Sequence, residues 1–456
     1  MCFSVKYVEK QVFQKGHGSL LNYIESTNYL KQFYSRTTNR TANHHLSIME
    51  ELFHLFHLNE SQFDIVQVTG SCGKGSTVTY ISHILLQNNI SHGVFTGPHL
   101  LRYEERFAVN GSLISSHDFC EIVTTIAQIL KNYPKENEVG HMHVMTLLAF
   151  LYFRKLGIKL VIFENGSGGL SDPSNILNPV IAVFTEITFD HTHLLGNSIE
   201  EITRNKAAII KNRTKYVAAG MRNKKARTLL KSLAAAKNAS FRFIDEHYKS
   251  TYKKQLFHYR GFTEWILPMS FPAEYQQQNF TNAVCVMELL QKIRYPISQY
   301  SPFNTGDVLL PGRMEWTEIC GEEILLDGAH NEYELASLKR EIEKQNLKNP
   351  LFFMAFSSNK DIEKMVKSIA LKEAFYIIVP SPFHERRINH KVVESVFHSL
   401  QLPYTYHENI ERGLQDFLRR NNNQSKVITG SLYLIGFIKQ KQKEGFINDT
   451  YNTETS

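Results

Sequence analysis

The chain has 456 residues, of which 42% are hydrophobic and 21% are charged. This composition excludes a disordered chain and a collagen-like chain, and the length predicts two to four domains. The 51 Lys and Arg residues outnumber the 44 Asp and Glu residues by only seven. So small a surplus permits an anionic substrate but does not indicate a protein that binds nucleic acid.

The cysteine pattern and the apolar runs indicate where the protein works. Its five cysteines are scattered without a C-x-x-C pair, which argues against a disulfide framework and a zinc site. The first residues are charged throughout and lack a signal-peptide core, and no run of 18 apolar residues predicts a membrane span. We therefore expect a cytoplasmic protein that does not contact a membrane.

The predicted elements alternate between helices and strands along most of the chain. After a helical start, the elements up to residue 210 are helices at 47–58, 77–86, 143–155 and 198–210 and strands at 63–68, 94–96, 159–163 and 180–184. A less regular aromatic stretch over 241–272 and a polar linker near 302–311 follow. The alternation then restarts with strands at 324–326, 351–355 and 374–379 and helices at 332–343 and 362–370. This order predicts an α/β fold with mostly parallel sheets, divided into domains at 1–300 and 301–456.

A glycine-rich segment, Val68-Thr-Gly-Ser-Cys-Gly-Lys-Gly-Ser76, joins a predicted strand to a predicted helix. Backbone N–H groups in such a turn, together with the helix N-terminus, can bind phosphate groups. The glycines Gly70, Gly73 and Gly75 let the backbone approach the phosphates closely. Lys74 would contact the outer phosphates, and Ser76 could offer its hydroxyl to phosphate or magnesium. The spacing differs from the general P-loop, and the alternative is a flexible surface turn that contains a lysine.

Three further residues are candidates from their positions alone. Glu164 ends a predicted buried strand, where an acid must bind a cation or accept hydrogen bonds, so it is the best candidate magnesium ligand. Its alternative is a helix N-cap or turn acid. His191 follows another apolar strand, and because magnesium prefers oxygen, a hydrogen-bonded loop histidine is the alternative. Lys206 lies within a predicted helix, where a solvated surface lysine is the alternative.

The motifs taken together resemble a known family. The loop spacing G-x-x-G-K-G-S is characteristic of the Mur ligase superfamily, and the chain resembles folylpolyglutamate synthase and the related dihydrofolate synthase. The matching segments begin at Thr96-Gly-Pro-His-Leu100, Glu164-Asn-Gly-Ser-Gly-Gly169, Phe189-Asp-His-Thr192, Leu310-Pro-Gly-Arg313, Leu326-Asp-Gly-Ala-His-Asn331 and Thr429-Gly-Ser-Leu-Tyr433. They occur in family order from about residue 20 to residue 436, or about nine-tenths of the chain.

The resemblance implies an ATP-dependent ligase. In this reaction a carboxylate attacks the γ-phosphate of ATP to give an acyl phosphate, and an amine then displaces phosphate; the family adds glutamate to a folate. The implied architecture is an N-terminal ATPase domain of the Mur ligase type and a smaller C-terminal Rossmann-like α/β domain, which close on ATP about a hinge near 302–311. The implied cofactors are ATP and Mg²⁺, and the implied oligomeric state is a monomer.

The resemblance also assigns roles to individual residues. Glu164, His191 and Ser76 would bind the metal. Lys74 and His191 would take part in catalysis with Lys206, whose family counterpart is carbamylated by carbon dioxide. The remaining implied nucleotide contacts are Asn279, Arg313, Asp327 and His330.

Five positions depart from the family pattern. Gly97 stands where the family has a serine that binds magnesium, so water or Ser76 would replace that oxygen. Leu170 replaces an arginine, His143 a glutamate, and Cys72 and Glu104 replace asparagines. Most of these positions would line the part of the site where the acceptor binds. The departures therefore put in doubt that the acceptor is a folate, but not that the protein is a ligase.

Three other functions compete with folate ligation. The departures at Gly97, Leu170 and His143 motivate a ligase that joins an amino acid to a non-folate carboxylate. Loss of the serine ligand alone would favour a catalytically dead nucleotide-binding protein. Basic clusters at 223–227 and 419–420 are too short, and lack the interleaved aromatic residues, to indicate a nucleic-acid-binding protein.

Overall fold

A computed structural model describes residues 19–36, 42–298, 308, 310–420 and 423–445. The chain divides into two compact units, one comprising Met1–Met269 with Gln278–Asn304 and the other Ser270–Gln277 with Thr305–Ser456. The linker predicted near 302–311 falls largely outside the described residues. Among the described helices, none is long and apolar enough to cross a lipid bilayer.

The first unit is built on an eight-stranded sheet. Its strands are β1 (Asp64–Thr69), β2 (His92–Phe95), β3 (Phe107–Val109), β4 (Ser112–Leu113), β5 (Leu160–Glu164), β6 (Ile181–Phe184), β7 (Tyr216–Ala219) and β8 (Ser240–Phe243). The strand order is β4-β3-β2-β5-β1-β6-β7-β8. Strands β2, β5, β1, β6, β7 and β8 are parallel, whereas β3 and β4 pair antiparallel at one edge. The predicted mostly parallel sheet is therefore confirmed.

Helices connect and cover these strands. In the first unit they are Tyr23–Lys31, Ala42–Leu55, Lys74–Gln87, Ser116–Leu130, His141–Lys155, Thr192–Leu195, Ile199–Ala207 and Lys224–Ala235. Helix Glu274–Lys292 begins in the second unit and continues into the first. The predicted helices at 77–86 and 198–210 exist with shifted ends, because Gly73 starts the first helix three residues earlier and the second stops at Ala207.

The centre of the first unit is apolar on both faces of the sheet. Every residue of β5 and β6 is buried, as is typical of parallel strands covered by helices on each side. Helix His141–Lys155 is apolar around most of its circumference and is almost wholly buried, including Phe150 and Phe153. Each large side chain removed from water in this way stabilises the fold by about 1.5–3 kcal/mol. This core fixes the strand ends that carry the candidate site.

Several parts of the first unit differ from the sequence prediction, among them the stretch over 241–272 and helix Ser116–Leu130. The irregular stretch over 241–272 contains β8 and a separate antiparallel sheet of β9 (Lys249–Lys253), β10 (Leu256–Arg260) and β11 (Glu264–Pro268), in the order β11-β10-β9. Strands β10 and β11 alternate buried and exposed residues, which the short runs did not reveal. Helix Ser116–Leu130 was also missed, although Ser115 caps its start by accepting a hydrogen bond from the Asp118 N–H.

The second unit contains a six-stranded sheet. Its strands are β12 (Glu315–Ile319), β13 (Glu322–Leu326), β14 (Leu351–Ala355), β15 (Phe375–Val379), β16 (Tyr404–Tyr406) and β17 (Lys426–Thr429), in the order β12-β13-β17-β14-β15-β16. Only β12 is antiparallel to its neighbour. The helices are Glu332–Lys344, Ile362–Ile369, His390–Ser399, Ile410–Arg419 and Leu432–Lys443. The alternation of strands and helices predicted for this part of the chain is confirmed.

Candidate active site

The glycine-rich loop leaves the end of β1 and enters helix Lys74–Gln87. The Ser71 N–H donates to the Glu186 carbonyl at 2.7 Å, and the Ser71 hydroxyl donates to the Thr188 carbonyl at 2.9 Å. The loop is therefore held by the segment that follows β6. Gly73 precedes the helix without a side-chain cap, so the first N–H groups of the helix are available to an anion.

Two glycines of the loop are required by close contacts. A Cβ atom on Gly70 would lie 1.8 Å from Thr185 Oγ1. Gly73 has a φ of +82°, and its Cβ would lie 2.3 Å from Asn279 Oδ1. Asn279 is thus brought against the loop from helix Glu274–Lys292, six residues into that helix rather than at its start. The helix begins at Glu274.

Two ammonium groups meet at one carbonyl oxygen of the loop. Lys74 Nζ donates to the Gly70 carbonyl at 3.1 Å and to the Ser71 carbonyl at 3.4 Å. Lys206 Nζ donates to the same Gly70 carbonyl at 2.8 Å and to the Ser167 carbonyl at 3.3 Å. The Lys74 charge and the helix N-terminus together attract a polyanion to this loop.

Lys206 is almost completely buried, with only 1% of its surface exposed. The alternative of a solvated helix lysine is therefore wrong: the glycine segment after β5 covers this side of helix Ile199–Ala207. A Cβ on Gly169 would lie 2.7 Å from the Lys206 carbonyl oxygen. Burial, with the nearby Lys74 charge, lowers the pKa of Lys206 from 10.5 to about 7, against opposing contributions from Asp190, Cys72 and Asp172.

Glu164 stands at the end of β5 and faces the loop. Its side chain is 5% exposed, and its Oε2 accepts a hydrogen bond from the Gly97 N–H at 3.1 Å. A Cβ on Gly75 would lie 3.4 Å from the same oxygen, so the carboxylate lies directly beside the first turn of the helix. Ser76, one residue further on, is also buried. This corner therefore presents a carboxylate and a hydroxyl next to the loop.

Asn205 is a structural residue of the site that the sequence reasoning missed. Its side-chain oxygen accepts hydrogen bonds from the Gly169 N–H at 3.0 Å and the Leu170 N–H at 3.2 Å. Its carbonyl oxygen accepts a second bond from Leu170 at 2.9 Å. Asn205 thereby fixes the glycine segment to the helix that carries Lys206. Its position next to Lys206 was the one available signal.

His191 lies in the loop after β6, immediately before the single turn Thr192–Leu195. Its φ of +48° puts it in the left-handed region, and its backbone N–H donates to Asp190 Oδ1 at 2.9 Å. Its imidazole is 24% exposed, and its Nε2 is 3.8 Å from Asp190 Oδ2. Asp190 also acts on Lys206 electrostatically, so this loop approaches the buried lysine. Among the described residues, no group of three or more His, Cys, Asp or Glu side chains forms a metal site by itself.

Asp327 of the second unit follows β13 and is almost fully buried. Its Oδ2 accepts from the Tyr275 hydroxyl at 2.8 Å and from the Met314 N–H at 2.9 Å, and its Oδ1 accepts from the Ala329 N–H at 2.9 Å. Burial raises the pKa of Asp327, while the neighbouring Arg313 and these donors oppose the rise. Through these bonds, the Asp327 carboxylate connects the segment that contains Arg313 and Met314 to the turn that follows β13.

His330 lies close to Asp327 in the chain and is tied to helix Glu332–Lys344. Its Nδ1 lies 3.0 Å from Glu334 Oε2 and 2.9 Å from the Gly328 carbonyl oxygen. Burial would raise the pKa of Glu334, but the charge and hydrogen bonds of His330 and the Arg313 charge lower it overall. These two contacts fix the orientation of the imidazole through Nδ1, so that Nε2 lies on the side of the ring away from Glu334 and Gly328.

Comparisons with known proteins agree with this arrangement. Residues 68–287 match the family model of the Mur ligase middle domain, and residues 315–440 match that of the dihydrofolate synthetase C-terminal domain. The folylpolyglutamate synthase of Lacticaseibacillus casei is 27% identical over 437 residues, covering 92% of this chain and 98% of the relative. The dihydrofolate synthase/folylpolyglutamate synthase of Bacillus subtilis is 28% identical over 400 residues, covering 84% and 91%.

The chain belongs to the folylpolyglutamate synthase and dihydrofolate synthase family of Mur ligases. It is an ATP-dependent ligase, as the resemblance implied. The folds of solved members agree: a folylpolyglutamate synthase from Thermotoga maritima superimposes with a TM-score of 0.73 at 24% identity, covering 94% of this chain and 98% of that one. A folylpolyglutamate synthase solved in complex with AMPPCP and folate gives 0.76 at 23% identity, covering 92% and 100%.

Most of the predicted residues of the first unit lie around one loop in this member of the family. Gly70, Gly73, Lys74, Gly75 and Ser76 form the loop, and Asn279, Glu164 and Lys206 contact it or lie directly beside it. His191 is connected to this group through Asp190. In the second unit, Asp327 lies near Arg313, and Arg313 and His330 both act electrostatically on Glu334.

Proposed function

We propose that this ligase activates a carboxylate with ATP and joins it to the amino group of glutamate, and that the carboxylate belongs to a folate. The observation that carries the proposal is the convergence of Lys74 and Lys206 on the Gly70 carbonyl beside Glu164. The names of the relatives, folylpolyglutamate and dihydrofolate synthases, support the choice of folate and glutamate.

The mechanism we propose begins with binding of the triphosphate. The N–H groups of the loop and of the first turn of helix Lys74–Gln87 hold the phosphates, and Lys74 leaves its carbonyl partners to contact the outer phosphate. The substrate carboxylate attacks the γ-phosphorus, which forms an acyl phosphate and releases ADP. The glutamate amine then attacks the acyl carbon, loses a proton and displaces inorganic phosphate. The Lys74 ammonium and the backbone N–H groups stabilise the charge that develops on the phosphoryl oxygens.

The residues present fit a magnesium ion. Glu164 and Ser76 offer the oxygen ligands that Mg²⁺ prefers, and few protein ligands are needed because phosphates and water complete its coordination. We propose that these two residues and His191 hold the ion, although nitrogen is a less favourable ligand for it. When bound, magnesium would neutralise phosphate charge. Gly97 has no side chain that could bind the ion, and its N–H donates a hydrogen bond to Glu164.

Carbamylation of Lys206 is a further part of the proposal. A buried lysine whose pKa is about 7 has a large uncharged fraction at neutral pH, and only the free amine reacts with carbon dioxide. Its nitrogen would form a bond to the carbon of CO₂ and lose a proton, giving an anionic carbamate. The negative group would then stand next to Lys74 and help position it.

The second unit contributes the remaining proposed contacts. We propose that Arg313, Asp327 and His330 bind the nucleotide, as does Asn279 in the first unit. We also propose that residues 1–300 form the ATP-binding Mur ligase domain and 301–456 the C-terminal domain. A cytoplasmic monomer is proposed as well, and the scattered cysteines, which lack a C-x-x-C pair, support a reducing compartment.

An acceptor panel tests this function. The purified protein would be given ATP, magnesium and glutamate with dihydropteroate, tetrahydrofolate or non-folate acids, and phosphate release would be measured. We expect release only with a folate acceptor, and its loss in Lys74→Ala and Glu164→Ala. Lys225→Ala is the matched control, because that lysine is 76% exposed. Turnover only with non-folate acids would favour the other ligase, and nucleotide binding without acceptor-dependent turnover would identify a binding protein.

A further inference from the structure

Arg106 is a buried cation without an acidic partner. Only 6% of its surface is exposed, and within the described parts of the chain it forms no ion pair. Its hydrogen bond runs from Nε to His99 Nδ1 at 2.8 Å. Among the described residues, the Nη atoms of this guanidinium form no hydrogen bond. A buried charge of this kind is costly unless an anion compensates it.

The guanidinium group lies next to the corner that holds Glu164. A Cβ on Gly97 would lie 2.9 Å from Arg106 Nη1, so the absence of a side chain at position 97 leaves room for the guanidinium. The N–H of the same glycine donates to Glu164 Oε2. Gly97 therefore lies beside both Arg106 and Glu164, the carboxylate next to the glycine-rich loop.

Two neutral imidazoles accompany Arg106. His99 accepts a hydrogen bond at Nδ1, so its proton is on Nε2, and burial with the Arg106 charge lowers its pKa to about 3. The His141 ring stacks on Tyr34 with centroids 4.0 Å apart. His141 is 6% exposed, and its Nε2 has no hydrogen-bond partner among the described residues. Burial, with the charges of Arg106 and His99, lowers the pKa of His141 well below its usual range, so this imidazole is neutral and lies near the guanidinium. The cluster thus combines one fixed positive charge with an unsatisfied buried polar atom.

This combination is complementary to a small anion. A cation would be repelled by Arg106, and a neutral apolar group would leave both the guanidinium and His141 Nε2 unsatisfied. A carboxylate matches the planar guanidinium and can accept further hydrogen bonds from imidazole N–H groups. The position beside Glu164 and the phosphate-binding loop is where the acid to be activated must approach.

We propose that Arg106, assisted by His99 and His141, binds the carboxylate of the acid substrate. This inference rests on the proposed function, because only a ligase of this kind brings an acid to this corner. A side chain at position 97 would require the end of the Arg106 side chain to shift, so glycine leaves the guanidinium in its present position.

Equilibrium binding tests the inference without requiring turnover. Dihydropteroate, its carboxamide, tetrahydrofolate, inorganic phosphate and AMPPCP would each be titrated into the wild type and into Arg106→Met. We expect the variant to bind the two acids about 30-fold more weakly, the range for a lost charge-assisted hydrogen bond. Affinity for the carboxamide should change by less than about threefold, because it lacks the charge that Arg106 recognises. AMPPCP affinity should be unchanged.

Control variants separate this role from a structural one. Arg102→Met changes an arginine of the same segment whose side chain is 52% exposed, and it should leave acid affinity unchanged. His141→Phe retains the stack on Tyr34 but removes Nε2, and should weaken acid binding about fivefold. If Arg106→Met fails to fold, Arg106→Gln, which also removes the charge but keeps a polar side chain, provides the same comparison, together with His141→Phe.

Three results would overturn the inference. One is equal acid affinity in the wild type and Arg106→Met, and another is failure of the wild type to bind either acid. The third is an effect of Arg106 on inorganic phosphate alone, which would identify a phosphoryl site. Acid binding that depends on Arg106 but leads to no ligation would instead contradict the proposed function and leave this inference intact.

Discussion

Replacing Gly73 by alanine tests whether the loop geometry depends on its contact with Asn279. The substitution puts a side chain on a residue with a φ of +82°, where an L-residue costs roughly 1–2 kcal/mol. It also puts a Cβ 2.3 Å from Asn279 Oδ1, and overpacking of this kind costs about 1–3 kcal/mol. The total loss of stability should be about 2–5 kcal/mol.

The chain offers a matched control for the backbone contribution. Gly157 has a φ of +68°, but a Cβ added to it would have no heavy atom within 4 Å, so Gly157→Ala should lose only about 1–2 kcal/mol. Scanning calorimetry would measure both variants, at about 2–4 °C for each kcal/mol in a unit of this size. We expect Gly73→Ala to melt below Gly157→Ala and to bind AMPPCP at least about tenfold more weakly.

A double variant isolates the steric part. In an Asn279→Ala background the Oδ1 atom is gone, so Gly73→Ala should then cost no more than Gly157→Ala. Equal melting temperatures for Gly73→Ala and Gly157→Ala, unchanged by the loss of Asn279, would refute the reasoning. In that case the loop would not depend on this contact.

Three other predictions concern buried polar groups. Glu288→Ala should destabilise the protein by about 3 kcal/mol in urea unfolding, because the Tyr259 hydroxyl and the Thr263 N–H and hydroxyl would lose their acceptor, whereas exposed Glu264→Ala should have little effect. The folded pKa of Lys206, about 7, lies below 10.5, so the unfolded chain binds more protons between these pH values. The buried charge of Lys206 therefore destabilises the folded protein fully below pH 7 and less as the pH rises. The free energy of unfolding of Lys206→Met minus that of the wild type should decrease from pH 6.5 to pH 9. A difference that does not change with pH would contradict this prediction. Tyr275→Phe should cost about 1–2 kcal/mol, because buried Asp327 would lose one of its donors; an unchanged calorimetric transition would show that this bond contributes nothing.

The sequence predicted the elements whose pattern is strong and local. Strand β5 and helix His141–Lys155 are long apolar segments, and their types are confirmed. The sheet β9-β10-β11 and helix Ser116–Leu130 were not predicted. Short strands and a helix with both apolar and polar residues gain much of their stability from tertiary contacts, and the sequence does not display those contacts. Among the site residues, the loop followed from its glycines and lysine.

The order of the residues and their chemical types determined the family, the alternation of strands and helices and the phosphate-binding loop, because these depend on short-range patterns. Only the tertiary structure decided that Lys206 is buried, that Asn279 contacts Gly73, and that Arg106 occupies the space above Gly97 without an acidic partner among the described residues. The physical reason is that burial and charge pairing depend on segments far apart in the chain. Residues 70, 206 and 279 become neighbours only when the strands and helices carrying them are assembled around one sheet.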